Sequence, residues 1–392
     1  MRAGSGQSTH AETRVATRDA LQQALQQLGS ERATAGFLFV SPKHALTNVM
    51  AVAAEMAPGC EFLACQTAGE FTERGRTTGG VAALLTTLPR ESFEVAGAAG
   101  MRTDPLGVAR QLTAPFNALK ERANRVGAGL STTVLLVDGL AGTGERVVKE
   151  VLNTTRLFQQ VVGGASGDDG KFAATEVGTT RTQGVDAAVA LHVFSKHPWG
   201  VGVDHGLAPR TRPMVATRAE GNVLYEIDKR PALEVYKEFA RSKGVELDDA
   251  NTPAFLIGNE LGVFFLNELH HARAPVGVGP NGELKLVADL MQGSQICILD
   301  GETEPMVAAA TRAAEQARAG LQGTKAAGVL VFDCICRGMI LKSDFQKEID
   351  AVRKVFPDVP LAGFLTYGEI ARFRGKLDGW HNTTAVVLAI PE

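Results

Sequence analysis

The stretches GVLVFDC (Gly328–Cys334), VPLAGFLTYGE (Val359–Glu369) and TTAVVLAI (Thr383–Ile390) spell out one unit: an apolar strand, a helix-length gap, a second strand ending in glycine, an acidic turn and a third strand. The unit occurs twice more. GFLFV (Gly36–Val40), CEFLACQTAGE (Cys60–Glu70) and VAALLTTL (Val81–Leu88) form one copy; TVLLVDG (Thr133–Gly139), QQVVGGASGDD (Gln159–Asp169) and DAAVALHVF (Asp186–Phe194) form another. A repeated supersecondary unit specifies architecture before it specifies chemistry. Strand–helix–strand spacing builds parallel pairs through a right-handed crossover, and the strand after each acidic corner is expected antiparallel to its predecessor. The predicted fold class is α/β in the mixed α+β sense, with repeated strand-helix-strand-turn-strand units forming mixed sheets covered by helices, in two domains.

Working outward, Leu21, Leu25 and Leu28 share a helical face and Gly29 is placed to end it, so residues 1–30 are taken as an N-terminal helix. A helix is expected over Glu145–Leu157. Gly, Pro and Arg accumulate from Pro198 to Pro213, and a boundary before Gly221 divides the chain into residues 31–220 and 221–392, with Trp199–Gly221 as an inter-domain hinge. In the second part Pro231 suits a first helical turn, Phe255–Ile257 and Gln295–Leu299 suggest strands, and Glu302, Glu304 and Pro305 open a helix that Gly320 follows.

Composition removes several classes of function. A formal net charge of −3 over 392 residues, with no run of Lys or Arg, leaves no electrostatic footprint for a nucleic-acid backbone. No apolar run reaches the roughly 18–20 residues that span a bilayer, and Met1–His10 lacks a signal-peptide core, so a cytoplasmic protein without membrane insertion is expected. Five cysteines, mostly inside apolar runs, point to reduced buried thiols.

The three corners carry the chemistry. Gly69-Glu70, Gly163-Gly164 with Ser166, Asp168 and Asp169, and Gly368-Glu369 place close backbone approach and carboxylates at strand ends, where ligands of α/β sheets sit. Each carboxylate also has a plainer use, capping nearby backbone N–H groups. Arg337, Tyr367 and Glu369 fall in one unit and could bind a zwitterionic or carboxylate-bearing ligand through charge-assisted bonds; Arg337 has the alternative of an ordinary ion pair. GLAGTGE (Gly139–Glu145) leads from a strand into a helix but has neither Rossmann spacing nor the Lys of a phosphate loop. His192, His197, His205 and His270-His271 match no zinc spacing, and Cys334-x-Cys336 lacks a second pair. There is no GxSxG or HExxH; Cys65 and Cys336 are potential nucleophiles without a base close in sequence.

Five segments, VVGGASGDD (Val161–Asp169), GNVLYEIDKRPALEVY (Gly221–Tyr236), CICRGM (Cys334–Met339), VPLAGFLTYGEI (Val359–Ile370) and HNTT (His381–Thr384), together resemble the FIST family of bacterial sensory proteins. The resemblance covers most of the chain, as an N-terminal FIST domain followed by its C-terminal partner. It implies a signal-input module for a small ligand such as an amino acid or related carboxylate. Because it runs nearly to Glu392, the signal is expected to pass to a separate partner such as a histidine kinase or a cyclic-di-GMP enzyme. The family also implies haem as an alternative cofactor for nitric oxide sensing; a b-type haem needs one axial His and an apolar pocket, and His381 and His205 are the first candidates. A hydrolase-like enzyme using Cys336, Arg337 and Glu369 is the alternative from another class. The candidate ligand-binding residues are Gly69, Glu70, Gly163, Gly164, Ser166, Asp168, Asp169, Cys336, Arg337, Tyr367, Gly368, Glu369, His381 and Asn382.

Overall fold

A computed structural model describes residues 1–155, 160–265, 268–372 and 379–392. The three sequence units fold into three six-stranded sheets with the same internal order. In the first, Ala35–Val40 runs parallel to Glu61–Gln66 and antiparallel to Val81–Thr86, and Ala3–Ser8 adds outside Val81–Thr86. Leu130–Val137, Gln160–Ala165, Ala187–Ser195 and Phe93–Ala99 repeat that pattern, as do Ala326–Cys334, Leu361–Thr366, Ala385–Pro391 and Gly200–Asp204. The third strand of each unit is therefore antiparallel as expected, but it lies beside the first strand and not beside its predecessor.

The edge left open by the second strand is closed by exchange. The strand after the first corner, Glu70–Thr72, pairs with Leu361–Thr366 of the third sheet. Val177–Thr179, after the second corner, pairs with Glu61–Gln66 of the first sheet. Glu369–Arg372, after the third, pairs with Gln160–Ala165 of the second. An open edge exposes a row of unpaired N–H and C=O groups; here each unit covers the edge of another, and the three close into a ring.

Period-two burial follows from this closure. One face of every sheet turns to a common core in which Phe39 and Phe364 sit 4.7 Å apart between ring centres, with Phe332 5.8 Å from Phe364, and Val134, Leu136 and Leu388 complete the packing. Each such fully buried side chain contributes about 1.5–3 kcal/mol. The opposite face of the first sheet lies under helices Thr13–Leu28 and Leu46–Met56. Helices Pro105–Thr113 and Gly144–Thr155 cover the second sheet, and Thr303–Gly320 and Phe345–Val355 the third. The expected helix Glu145–Leu157 is present as Gly144–Thr155, and its last two residues lie outside the described residues.

The third unit carries an insertion between Gly200–Asp204 and Thr303–Gly320. It forms a nine-stranded sheet whose members include Met214–Glu220, Val223–Ile227, Leu261–Phe265 and Gln295–Asp300. The boundary placed before Gly221 lies in the turn between the first two, which pair with each other. The segment expected as a hinge, Trp199–Gly221, begins inside the third sheet: Trp199 is buried and Gly200–Asp204 is hydrogen-bonded to the last strand of the chain. Phe255–Ile257 is helical, within Thr252–Gly258, and not a strand. Residues 1–30 are not helix alone, because Ala3–Ser8 is a buried strand.

That strand was hidden by its glycines, and the same device recurs at Gly200 and Gly202. A Cβ at Gly6 would lie 2.0 Å from the Ala20 carbonyl oxygen and one at Gly4 2.2 Å from that of Ala24; at Gly202 and Gly200 the distances are 1.9 Å to Ala313 O and 1.7 Å to Ala317 O. Glycine lets a helix backbone lie directly on the strand, and alanines four apart on the helix allow the approach. Gly202→Ala is expected to lower the unfolding free energy by about 1–3 kcal/mol through this clash, measured by urea denaturation. Gly129→Ala, whose added carbon meets nothing within 4 Å, should change it by less than about 0.5 kcal/mol.

Candidate functional site

Closure of the ring brings the three corners together at the carboxyl ends of the parallel strands. Ala68 N–H donates to Leu365 O (3.0 Å) and Leu365 N–H to Gly69 O (2.7 Å), joining corners one and three. Gly167 N–H donates to Gln66 O and Asp169 N–H to Thr67 O (both 3.0 Å), joining two and one; Ala165 N–H donates to Gly368 O (2.8 Å), joining two and three.

The sequence repeat reappears as repeated chemistry. In Thr67-Ala68-Gly69-Glu70 the buried Glu70 carboxylate accepts from Thr67 Oγ1 (3.0 Å), Thr77 Oγ1 (2.9 Å) and Gly80 N–H (2.8 Å). In Thr366-Tyr367-Gly368-Glu369 the buried Glu369 accepts from Thr366 Oγ1, Thr384 N–H (3.1 Å) and Thr384 Oγ1 (2.9 Å). Burial outweighs these bonds and pushes each carboxyl up to about 7. In the second unit the corresponding ties come from Asp138, which accepts from Leu140 N–H (2.8 Å), Asp186 N–H (2.6 Å) and Thr175 Oγ1.

The second corner's candidates are held internally. Asp168 caps the following loop by accepting from Phe172, Ala173 and Ala174 N–H groups (2.8, 2.7 and 3.1 Å) and from the Tyr367 hydroxyl. Burial favours its neutral form, but those donors prevail and hold it below the usual carboxylate range. Asp169 accepts from Ser41 Oγ (2.8 Å), and Ser166 Oγ donates to Val137 O (3.2 Å). Gly163 has its missing side chain against Leu135 O, Gly164 against Thr366, and Gly368 against the Trp380 ring. Phe172 stacks on Tyr367 with ring centres 4.6 Å apart.

Arg337 is fully buried and forms a hub. Its Nε lies 3.1 Å from Asp333 Oδ1; Nη1 donates to His205 O (2.6 Å) and Nη2 to Met306 O (2.8 Å) and to Glu348. His205 and Met306 flank the insertion, so one guanidinium pins both of its ends. Burial and the Glu348 charge push Asp333 well up despite Arg337, and Asp333 Oδ1 and Glu348 Oε2 have no hydrogen-bond partner. The structure thus separates Arg337 from the role expected beside Tyr367: Tyr367 faces Asp168, while Arg337 is committed to the insertion.

What does converge is a cluster of buried polar side chains between the insertion and the third corner. Glu260, just ahead of strand Leu261–Phe265, accepts from Thr383 Oγ1, and the Cys336 thiol lies beside it. Cys334 hydrogen-bonds to Glu369. Asn382 stands beside Thr383, whose φ of 54° bends the chain inward. Glu260 Oε2 and Asn382 Oδ1 are buried without a hydrogen-bond partner, an arrangement that costs roughly 1–3 kcal/mol per group. Burial, reinforced by the Glu369 charge, pushes Glu260 up to about 8. Ala274, Cys334 and Cys336 pack together, with half-buried Ile257, Val287 and Ile335 against them. A cleft of about 890 Å³ opens at the other end of the sheets, lined by Arg2, Arg318, Lys325 and Glu392 among others; none of the candidate residues reaches it.

Glu260, Asp138 and Glu348 were missed in the sequence, although each carried a sign. Asp138 ends an apolar strand, Glu260 immediately precedes one, and Glu348 lies on the apolar stripe of Phe345, Ile349 and Val352. An acid in such a place must be paired.

The histidines do not favour haem. His381 Nε2 bonds Ala371 O (3.0 Å) and its ring packs 5.4 Å from that of His271; His205 Nδ1 accepts from Leu207 N–H (2.9 Å) beside the Arg337 charge. Burial first, then that charge, lowers the affinity of His205 for a proton. His192 is buried with Thr133 and Leu112 O at its two nitrogens, and the side chain of His270 lies outside the described residues. Among the described residues, no group of three or more His, Cys, Asp or Glu could hold a metal ion, and no helix is long and apolar enough to cross a membrane.

Three interlocked α/β units with an inserted sheet over a polar corner define an α/β module with a buried polar cluster. Residues 34–230 match the FIST N domain and residues 232–372 the FIST C domain, and the chain belongs to the FIST family, whose domains are sensory domains. An uncharacterized protein of Mycobacterium bovis is 25% identical over 193 residues, 47% of this chain and 48% of that protein. One of Mycobacterium tuberculosis is 25% identical over 245 residues, 60% of this chain and 62% of that protein. The chain thus spans about half to three-fifths of the curated relatives it matches. A crystal structure of phosphoribosylformylglycinamidine synthase II from Thermotoga maritima aligns over 99% of this chain and 71% of that one at 10% identity, with a TM-score of 0.22 that carries no argument.

Two outcomes test this account of the buried charges. Arg337→Ala should cost about 3–5 kcal/mol because it strands buried carboxyls, and Arg337→Lys should not restore it, since one ammonium cannot span the same carbonyls and carboxylates; urea unfolding measures both. Glu70, Glu369 and Glu260 have folded values above the roughly 4.3 of an unfolded glutamate. The folded state therefore holds protons that the unfolded chain releases, so stability should fall as pH rises from about 5 to 8, and Glu369→Gln should shrink that fall.

Proposed function

We propose that this protein is a small-ligand-binding sensory protein that binds an amino acid or related small carboxylate at the buried polar cluster between the insertion and the third corner, and signals to a separate partner. The observation that carries this reading is the presence of buried, unpartnered acceptors at Glu260 Oε2 and Asn382 Oδ1, the first in a residue bonded by Thr383 and the second in the residue before it. Buried polar atoms in native proteins are paired, so a ligand that satisfies them binds with a gain the free protein lacks. Glu260 belongs to the insertion and Asn382 to the ring. A ligand held by both favours one placement of the insertion over another, and a partner that distinguishes the placements reads the ligand. A histidine kinase or cyclic-di-GMP enzyme is the class of partner that the family suggests.

A second reading, a hydrolase-like enzyme, is favoured by the contact of the Cys336 thiol with Glu260. A carboxylate beside a thiol is an arrangement in which a base could activate a nucleophile.

Thermal melts against the common amino acids and small carboxylates separate these readings. A binder at one hundred times its Kd should add about 2.7 kcal/mol of stability and remain chemically intact. A panel that leaves the melting temperature unchanged contradicts the sensory reading, and turnover of a binder with loss on Cys336→Ser moves the protein to the enzyme class.

A further inference from the structure

We propose that the surface around Phe172, Met339 and Arg76 is a docking face for a partner protein, and that it takes an acidic segment carrying an apolar side chain. The inference extends the separate-partner part of the reading above and is independent of which small ligand binds. It starts from the loop after the second corner. Asp169, Gly170 and Phe172 all have left-handed backbone, with φ of 56°, 76° and 53°. A bulky side chain is rarely found there, and such strain persists only where the surroundings over-determine it. Here Asp168 clamps the loop by accepting from the Phe172, Ala173 and Ala174 N–H groups. The result is a phenylalanine that is 58% exposed, with its ring stacked on Tyr367.

The patch is continuous across two further elements. The Tyr367 hydroxyl also accepts from Gly170 N–H (3.0 Å), and a Cβ at Gly170 would lie 3.8 Å from Ile335 Cδ1. Ile335 and Met339 stand one turn apart on helix Ile335–Leu341, the first half-buried and the second 45% exposed. Beside Met339, a Cβ at Gly338 would lie 3.6 Å from Arg76 Nη1. Arg76 is exposed, its guanidinium carbon 5.6 Å from the centre of the buried Phe345 ring, and it makes no hydrogen bond or ion pair among the described residues. Its neighbours withdraw it from water enough to weaken its hold on the proton, although the Glu70, Asp169 and Asp333 charges oppose this. Aromatic residues, Met and Arg are the side chains enriched at the centre of protein–protein interfaces, and adjoining exposed apolar side chains mark such sites. Charge decides the kind of partner. Lys171 precedes Phe172 and Lys43 shares Ser41 Oγ with Asp169; both lysines are exposed and without an ion pair among the described residues. Asp169 turns inward, its Oδ2 bonded to Ser41 and its Oδ1 buried. An acid on the partner therefore meets cations, whereas a base is repelled.

The probe is a display library of random dodecapeptides panned against the full chain. Enriched sequences should pair an Asp or Glu with an aliphatic or aromatic residue. As synthetic peptides followed by fluorescence anisotropy, they should lose affinity roughly tenfold or more on Phe172→Asn and likewise on Arg76→Glu. Asn tolerates a left-handed backbone, so Phe172→Asn removes the ring without straining the loop, and both variants should melt with the unaltered chain. Should Phe172→Asn fail to fold, Met339→Gln removes apolar surface from the exposed helix instead. Exchanging the peptide's acid for lysine should abolish binding to the unaltered chain and restore it to Arg76→Glu, a reversal that a merely structural effect would not give. Enriched peptides without an acid, binding untouched by these substitutions, or no enriched peptide at all overturn the acidic partner. So does a change of oligomeric state in Phe172→Asn, which would make the face a contact between copies of this chain. The two readings fail separately: a chain that shows no thermal shift with small ligands yet gives the charge reversal loses its ligand and keeps this surface.

Discussion

Every sheet in this molecule has an edge that its own unit does not fill. The row of backbone donors and acceptors beside each second strand would otherwise be bare, and each is covered by the strand that follows another unit's corner. Because the three exchanges form a cycle, no sheet is complete until all are made. The glycine-plus-acid corner is the point at which the chain leaves one sheet for another. Its backbone bonds to the other corners and its carboxylate bonds to the segment that starts the next strand are one device, used with Glu70 and Glu369 and rebuilt around Asp138 in the second unit.

The exchange also explains why charge accumulates in the interior. Three strand ends meet, and each brings a carboxylate to secure its corner. The third unit adds Asp333, Glu348 and Glu260, because the insertion must be fixed to the ring where it leaves and returns. Arg337 does that fixing by bonding the carbonyls of His205 and Met306. A buried cation with several buried acids is expensive to assemble and worse to break. The network is incompletely paired: Glu260 Oε2, Asn382 Oδ1 and Arg337 Nε are all buried without a hydrogen-bond partner.

The repeat was legible because strands that are buried on both faces appear as continuous apolar runs such as VAALL and AVVLAI, and the corners showed because glycine and acid interrupt those runs. The exchange was not legible: nothing in TAGEFT or YGEIAR says that the following strand pairs with a distant sheet. Ala3–Ser8 was missed because AGSGQS has the composition of a loop; its glycines serve the approach of helix Thr13–Leu28. Arg337 and Glu369 stood out in the sequence, yet it could not show that Arg337 is tied to the carbonyls of His205, Met306 and Thr383, the first of them 132 residues away. Glu260 was invisible for a related reason, since its partners Thr383 and Cys336 come from other elements and only the insertion's docking brings them together.

The account stands on the cyclic exchange, and native-state hydrogen exchange tests it most directly. Amide protons in the three exchanged strands, at Phe71, Val177 and Ile370 for example, should open with one common free energy equal to that of global unfolding, together with the strands that host them. If one exchanged strand instead opens at a free energy several kcal/mol lower while its host sheet stays protected, that strand is a peripheral attachment and the ring does not hold the fold together.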